Sequence, residues 1–391
     1  MVLSDRYPKA HSLTGQICPA LMLKAFKAVR RNRGAAGVDK VSVLLFEKNL
    51  DENLLSLMRD LKAGSFQPLP LRRHHLPKGD GSFRPLGIPV VRDRVAQAVL
   101  RLLLQPVFEP LFHDASFGFR PARNCHMAVQ RVIEIHDQGL EVVLDADIKG
   151  FFDNLPFPVI MDAVRAKVAD GKILDLIERF LRSGVMEDGV FKPTSVGTPQ
   201  GGVVSPLLAN IVLNHLDWQL HQHGLRFVRY ADDFVVLCQS KARAEEALAL
   251  VSKVLSHLGL ALSQEKTRIT SYGAGYSFLG FWIAKRGIRM RPKSQDKFEQ
   301  KLKDLTPRHH NFGQDVIKEI NRVIRGTAQY FATRWSNPRR QFRLLDRWIR
   351  RRLRAMKFKR FSYWDNRRYP VRCFEKLGLL SLESFCWKTV P

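Results

Sequence analysis

The segment that most constrains the fold is residues 226–238, Arg-Phe-Val-Arg-Tyr-Ala-Asp-Asp-Phe-Val-Val-Leu-Cys. Two arms rich in β-branched and aromatic residues flank Asp232 and Asp233, which predicts a β-hairpin with both carboxylates at its bend. An Asp pair at a turn usually serves the turn alone. Here the apolar arms would place the pair at the edge of a packed sheet, where adjacent carboxylates repel each other unless cations bind them. The segment therefore predicts a cation site.

A second acidic segment predicts where the remaining ligand lies. Residues 141–148, Glu-Val-Val-Leu-Asp-Ala-Asp-Ile, form an apolar run that ends in carboxylates, as a buried strand delivering Asp147 to its C-terminal edge would. If the two strands are neighbours in one sheet, Asp147, Asp232 and Asp233 converge. Phosphoryl transfer from a nucleotide needs two hard cations about 3.5–4 Å apart, and Mg²⁺ takes oxygen ligands. The pattern predicts a site for two Mg²⁺ ions, with Mn²⁺ as an alternative.

The balance of charges indicates a polyanionic partner. The 391 residues include 64 Lys and Arg against 37 Asp and Glu, a formal charge of +27. Residues 291–391 hold 26 of the basic residues and 9 of the acidic ones, so most of the excess lies in the last quarter. Such an excess is typical of nucleic-acid binding. We expect a binding surface in that quarter.

Cysteine usage and hydropathy disfavour other classes of protein. The five cysteines, at positions 18, 125, 238, 373 and 386, form no C-x-x-C pair, so neither a zinc module nor a disulfide framework is indicated. No apolar run approaches the roughly 20 residues needed to cross a bilayer, and no signal-like stretch follows the first charges. We expect a cytoplasmic protein with more than one core, since a single core seldom exceeds about 250–300 residues.

Hydrophobic periodicity predicts helices alternating with short strands. The Pro- and Gly-interrupted stretch from Phe66 to Pro89 favours hairpin strands, and the Gly-bearing residues 32–39 favour a loop. Short strands are expected again up to Ile283, and basic helices from about residue 291 onward. Apolar residues at helical spacing predict helices over residues 18–31, 43–62, 93–112, 158–182, 205–223 and 241–259.

Several motifs resemble those of one family. Tyr230-Ala-Asp-Asp233 is similar to the Tyr-X-Asp-Asp box of reverse transcriptases, and Asp147-Ile-Lys-Gly-Phe-Phe-Asp153 to their first catalytic motif. Gly197-Thr-Pro-Gln-Gly-Gly-Val-Val-Ser-Pro206 resembles the template-contacting segment of group II intron reverse transcriptases. The chain thus resembles a bacterial group II intron-type reverse transcriptase and maturase. Further collinear similarity covers residues 32–39, 77–89, 117–121, 258–260, 265–267, 278–281, 345–353, 366–368 and 377–379.

The resemblance implies the chemistry of the reaction. Asp147, Asp232 and Asp233 would hold the two ions, and Lys266 would either protonate the leaving pyrophosphate or contact a phosphate without proton transfer. The reaction implied is the addition of deoxynucleotides to the 3′-OH of a DNA or RNA primer, templated by RNA. The partners implied are therefore an RNA template, a primer and dNTPs.

The resemblance also implies how the nucleotide is held. Lys78 and Arg84 would fold over the triphosphate, where cations neutralise the developing charge. Gln200 would flank the incoming sugar. Phe152 would lie under the sugar C2′ and exclude ribonucleotides by a steric clash, although it could instead be a core aromatic, and Phe151 is the neighbour that could be confused with it.

The last quarter resembles the thumb, or maturase, domain of group II intron proteins. An apolar stripe on one face of its main helix would be buried and its arginines directed outward; the stripe consists of Leu345, Ile349, Leu353 and Met356. We expect Arg350, Arg351 and Arg352 to follow a phosphate backbone without reading sequence.

The expected fold is an α+β right hand. The fingers and an N-terminal extension would cover residues 1–137, a palm with an antiparallel sheet residues 138–290, and a helical thumb residues 291–391. Neither a DNA endonuclease nor a ribonuclease H domain is expected after the thumb. Two alternatives stay open: a maturase that binds a structured intron RNA for splicing, and a domesticated reverse transcriptase serving defence, CRISPR spacer acquisition or DNA repair.

Overall fold

The computed structural model describes residues 8–77, 83–194, 196–197 and 201–386. Their contacts divide the chain into two compact units. The first unit runs to Ile135 and resumes over Leu144–Ile269, and the second contains His136–Val143 and the described chain from Thr270 onward. The predicted division into fingers, palm and thumb remains a prediction.

Most of the helices follow the apolar periodicity of the sequence. None of the helices in the described ranges is long and apolar enough to cross a lipid bilayer. In chain order they are α1 (Pro19–Arg31), α2 (Val43–Lys48), α3 (Leu50–Ala63), α4 (Val91–Phe108), α5 (Cys125–His136), α6 (Phe151–Asn154), α7 (Phe157–Arg165), α8 (Gly171–Leu181), α9 (Ser205–Gln222), α10 (Lys241–His257), α11 (Pro292–Leu305), α12 (Gln314–Phe331), α13 (Arg339–Phe358), α14 (Asp365–Arg368) and α15 (Val371–Lys376).

Two of the predicted helices are divided in the structure. Residues 43–62 form α2 and α3, because the chain turns at Asn49, whose backbone angles of −118° and 49° are not helical. Residues 158–182 form α7 and α8, because the Asp170 side chain accepts a hydrogen bond from the Ile173 amide and so caps the start of a new helix. A single helix over either range is therefore wrong.

The strands form three sheets. Two belong mainly to the first unit, with the orders β2-β1-β4-β5 and β6-β7-β3-β8, and the third, β11-β10-β9, belongs to the second unit. In chain order the strands are β1 (Leu71–Pro77), β2 (Phe83–Ile88), β3 (Val142–Asp147), β4 (Val185–Glu187), β5 (Val190–Lys192), β6 (Arg226–Tyr230), β7 (Asp233–Cys238), β8 (Arg268–Ser271), β9 (Tyr276–Phe278), β10 (Phe281–Ala284) and β11 (Gly287–Met290).

Both hairpins predicted from the sequence are present. β1 and β2 pair antiparallel with Leu76 opposite Arg84. β6 and β7 pair antiparallel with Tyr230 opposite Asp233, which leaves Ala231 and Asp232 at the bend. Because β7 is hydrogen-bonded to β3 as well as to β6, the strand that ends in Asp147 is the neighbour of the strand that begins with Asp233.

The core of the first unit lies around this central sheet. Every residue of β7 after Asp233 is buried, and α9 buries side chains on most of its circumference. A helix that is apolar nearly all round is typical of the interior of a domain. The strand that follows the bend of the β6–β7 hairpin is thus buried in the core of this unit.

The second unit is a small sheet with a helical bundle. The predicted stripe of α13 is buried, as are Phe342 and Ala355. Asp346, also buried, accepts hydrogen bonds from the Ser381 hydroxyl at 2.6 Å and the Leu382 amide at 2.8 Å, which attaches the later chain to α13. Burial raises the pKa of the Asp346 carboxyl, and these donors oppose that rise.

Candidate active site

The bend of the β6–β7 hairpin is a strained turn. Ala231 has a φ of 59°, in the left-handed region that is unfavourable for a residue with a Cβ. Such a conformation costs on the order of 1–3 kcal/mol and persists only where the surroundings hold it. The contacts around Ala231 therefore determine where Asp232 points.

Arg229 holds this turn from inside the protein. Its side chain is 0% exposed, and its Nε and Nη2 donate to the two carboxylate oxygens of Asp217 at 2.7 and 2.5 Å. Its Nη1 donates to the Asn210 side-chain oxygen and to the Ala231 carbonyl, both at 2.9 Å. Two residues of α9 thus hold a guanidinium that in turn fixes the backbone directly before Asp232.

The segment before α5 supports the same turn from outside the hairpin. The Phe117 amide donates to the Arg229 carbonyl at 2.8 Å, and the Arg229 amide donates to Ala115 at 2.9 Å. Asn210 also donates to the Gly118 carbonyl at 2.8 Å. A Cβ at Gly118 would lie 2.3 Å from the Ala231 nitrogen, so only glycine allows this approach.

Asp147 is fixed at the end of β3 by the chain that precedes β8. Its carbonyl accepts from the Ser263 amide at 2.8 Å, and its amide donates to the Thr267 hydroxyl at 3.4 Å. The Lys266 ammonium lies 3.1 Å from the Asp147 carboxylate. Lys266, predicted either to donate a proton or to contact a phosphate, thus lies beside the predicted metal ligand.

The carboxylates of Asp147 and Asp232 interact electrostatically. Burial raises the pKa of Asp232, and the negative charge of Asp147 raises it further, while Arg84 and Arg229 lower it. A divalent cation would relieve this repulsion, so the donor set fits a hard cation. Within the described ranges, however, no three His, Cys, Asp or Glu side chains converge as a formed metal cluster.

The two adjacent phenylalanines are in different environments. Phe151 is 2% exposed and belongs to the core, whereas Phe152 is half-buried, with the two ring centroids 5.1 Å apart. A Cβ at Gly197 would lie 2.8 Å from the Phe152 carbonyl, so the chain at Gly197 passes directly over this residue. Of the two rings, Phe152 is the one available to a substrate.

The remaining predicted nucleotide contacts are only partly described. Arg84 is exposed on β2, opposite Leu76, and its charge acts on Asp232. Lys78 and Gln200 lie outside the described residues. Their predicted roles, like that of Arg84, remain predictions.

Comparison with known proteins identifies the family. Residues 76–283, more than half of the chain, match the family described as reverse transcriptase (RNA-dependent DNA polymerase). The chain belongs to the reverse transcriptase family. Residues 295–374 match the maturase-specific domain of group II introns. The predicted group II intron type, the enzyme class of RNA-directed DNA polymerase and the α+β right-hand polymerase fold are confirmed.

Two curated relatives, YkfC and LtrA, agree with this assignment. The protein YkfC of Escherichia coli is 33% identical over 69% of this chain and 82% of its own length. The group II intron-encoded protein LtrA of Lactococcus lactis is 30% identical over 66% of this chain, which spans about half, 53%, of LtrA. A solved structure of Candida albicans telomerase has a TM-score of 0.47 at 13% identity, covering 86% of this chain and 66% of the telomerase chain.

Three functional residues of this reverse transcriptase were not predicted from its sequence. Arg229, Asn210 and Asp217 hold the turn, yet none belongs to the acidic motifs. A signal was present. Arg229 is a charged residue inside an otherwise apolar arm, and Asn210 and Asp217 are seven positions apart in a nearly continuous apolar helix, which places them on one face.

The three α13 arginines predicted to contact nucleic acid differ in their environments. The Arg352 guanidinium donates to the Thr306 hydroxyl at 2.7 Å and to the Thr306 carbonyl at 2.9 Å, and so joins the end of α11 to α13. Arg350 and Arg351 make no side-chain hydrogen bond to any residue in the described ranges. Nucleic-acid contacts by Arg350 and Arg351 remain a prediction, and Arg352 already has a structural role.

Proposed function

We propose that this chain extends the 3′-OH of a DNA or RNA primer with deoxynucleotides copied from an RNA template. The observation that carries this proposal is the position of Asp232 at the bend of the β6–β7 hairpin, close enough to Asp147 for the Asp147 charge to raise the pKa of Asp232. Two carboxylates on adjacent strands of one sheet suit the chemistry of nucleotidyl transfer.

Members of this family use divalent cations. Here Asp147, Asp232 and Asp233 would hold Mg²⁺, or Mn²⁺, which would supply activation of the primer oxygen and stabilisation of the leaving group. The protein's own contribution is to fix these carboxylates. Arg229 holds the turn before Asp232, and the hydrogen bonds from the Ser263 amide and to the Thr267 hydroxyl fix the backbone of Asp147.

The cationic side chains have distinct tasks in this proposal. Arg84 would neutralise charge on the triphosphate, since its exposed side chain already acts electrostatically on Asp232. Lys266, held beside Asp147, would deliver a proton to the leaving pyrophosphate or contact its phosphates. Lys78 and Gln200 would complete the nucleotide site, and Phe152 would exclude the 2′-OH.

The test is Asp232→Asn, with Asp162→Asn on the exposed face of α7 as the matched control. Losing a metal ligand should slow primer extension on RNA by about a thousandfold, because several kcal/mol of transition-state stabilisation are lost. Binding of the primer–template should be nearly unchanged in a gel-shift titration. Extension by Asp232→Asn within tenfold of the wild type would contradict the proposal.

A second function, assistance to intron RNA splicing, is favoured by the match of residues 295–374 to the maturase-specific domain. The partner would be a structured intron RNA, and a maturase has no need of Asp232. Asp232→Asn should therefore still promote splicing of any group II intron RNA whose splicing the wild type assists. The native template and primer, like a cytoplasmic location, remain part of the proposal.

A further inference from the structure

A large cleft lies along the C-terminal half of α13. Its volume is about 970 Å³, at the upper end of the range of about 300–1,000 Å³ typical of sites for small organic groups. One wall is α13 and the other is the chain that follows this helix. We call this surface the α13 cleft and define it by Arg347, Trp348, Arg351, Phe361, Tyr363 and Asp365.

The walls of the α13 cleft carry cations that the fold does not use. Arg354 also lines the cleft, but its guanidinium already has a partner within the protein, since it donates to the Tyr369 carbonyl at 2.8 Å. Arg347 and Arg351, in contrast, make no hydrogen bond or ion pair with any residue in the described ranges. Two cations left without a protein partner at the walls of one cleft favour an anionic ligand.

Aromatic rings stand among these cations. The Tyr363 side chain is 87% exposed, and Phe361 and Trp364 are exposed as well. Phe361 faces the Arg308 guanidinium, 4.4 Å from the ring centroid, whereas Tyr363 makes no ring contact within the described part of the chain. Clustered exposed rings indicate an interaction site, and rings interleaved with cations are typical of surfaces on which nucleic-acid bases stack.

The floor of the α13 cleft offers a hydrogen-bond acceptor. Asp365 is 1% exposed, and its Oδ1 lies 3.3 Å from Arg360. Its Oδ2 is buried and has no hydrogen-bond partner among the described residues. The Asp365 backbone is fixed, since its amide donates to Ser362 and its carbonyl accepts from Tyr369. A buried acceptor without a donor is unfavourable, so a ligand N–H here would be stabilising.

We propose that the α13 cleft binds unpaired nucleotides of a single-stranded nucleic acid. A base stacks on Tyr363, Asp365 accepts a hydrogen bond from the base edge, and Arg347 and Arg351 contact the flanking phosphates. A duplex does not fit this chemistry, because its base faces are covered by neighbouring bases and only its phosphates remain for the arginines. The inference rests on the proposed function for the choice of nucleic acid as the anion, but it requires no polymerase activity.

The test measures binding by the full chain, by fluorescence anisotropy, to single-stranded RNA, single-stranded DNA and a blunt duplex of about 12 nucleotides each. Tyr363→Ala should weaken binding of the single strands by about 5- to 150-fold, the loss of one stacked base. Tyr363→Phe keeps the ring and should restore binding. Phe191→Ala removes another exposed ring, 50% exposed, from β5 and should change nothing.

A second measurement reports stacking directly. A 2-aminopurine base in the oligonucleotide should be quenched by the wild type and by Tyr363→Phe, but not by Tyr363→Ala. Duplex binding should be the same in all variants. The ratio of RNA to DNA affinity identifies which strand the site prefers, and failure to bind either strand overturns the inference.

Other outcomes separate this inference from the proposed function. If Tyr363→Ala weakens single strands and duplex equally, or if Tyr363→Phe does not restore binding, the cleft is not a stacking site, whatever the polymerase does. Asp232→Asn could retain full primer extension while Tyr363→Ala loses single-strand binding. The assignment of the catalytic carboxylates would then be wrong, and the proposal of a single-strand site in the α13 cleft would still be supported.

Discussion

Replacing Arg229 with Met should test whether the interior of the protein sets the geometry of the turn before Asp232, and with it the proposed catalysis. Arg229 and Asp217 are both 0% exposed, so the single substitution leaves a buried carboxylate without its partner. Breaking such a pair costs about 3–5 kcal/mol. For a unit of this size, each 1 kcal/mol lowers Tm by about 2–4 °C, so a fall of roughly 6–20 °C is expected in a calorimetric scan.

The double variant Arg229→Met with Asp217→Leu separates stability from catalysis. Removing both charges eliminates the unpaired carboxylate, and apolar replacement of a buried pair is often neutral or stabilising. Most of the lost stability should therefore return. The Ala231 carbonyl, however, has still lost the donor that held it at 2.9 Å, so kcat for primer extension should stay low while KM for dNTPs changes little.

Arg229→Lys serves as the conservative comparison. A lysine ammonium keeps the charge but does not reproduce the planar fork that reaches Asp217, Asn210 and Ala231 together. It should recover part of the stability and little of kcat. If Arg229→Met with Asp217→Leu instead regains full kcat together with its stability, Arg229 has only a structural role. The turn at Ala231 would then keep its conformation without the hydrogen bond from Arg229.

Three further results are expected. Phe152→Val should admit ribonucleotides, because the ring volume under the sugar is removed, and the ratio of rGTP to dGTP incorporation should rise. The double variant Arg350→Ala with Arg351→Ala should lose two phosphate contacts. The slope of the logarithm of the nucleic-acid binding constant against the logarithm of the salt concentration should therefore flatten by about 1.4–1.8. Burial raises the pKa of Asp93 to about 7 from 3.8, so the wild type should lose stability as pH rises between these values. Asp93→Asn retains an acceptor for the Leu69 amide and should be more stable above pH 7, by at most about 4 kcal/mol.

Matched substitutions define what would contradict these expectations. Phe151→Val, in the core, should lower Tm without changing the choice of sugar, and the reverse pattern would make Phe151 the selective ring. Arg322→Ala with Arg325→Ala removes the same charge from the exposed side of α12, and an equal change of slope would mean that net charge alone governs binding. A constant stability difference between Asp93→Asn and the wild type across pH would show that Asp93 does not titrate in this range.

Local signals were sufficient to predict the strands that carry the aspartates. The β6–β7 hairpin follows from its apolar arms, and the approach of Asp147 to Asp232 follows from the adjacency of β3 and β7. The start of α8 was also readable, since Asp170 followed by Gly171 is a helix-start signal, but the apolar periodicity continues across it and was given more weight. The interruption at Asn49 has no comparably clear signal.

Other features depend on contacts between distant parts of the chain. Asp217 is a partner of Arg229 only because α9 packs under the hairpin, and no spacing rule connects a helix residue to a strand residue. Likewise, Arg352 differs from Arg351 because Thr306, the residue that follows α11, lies within hydrogen-bond distance of Arg352. The sequence predicts a basic helix there, but it does not show which of the arginines form hydrogen bonds within the protein.

The unequal burial of Phe151 and Phe152 has a consequence for how this enzyme can change over evolutionary time. A substitution at Phe151 alters the core and is removed by selection for stability before its effect on the substrate matters. Phe152, half-buried, can vary at a smaller cost to folding. Selection for altered sugar preference, in nature or in the laboratory, should therefore converge on position 152 and leave its neighbour unchanged.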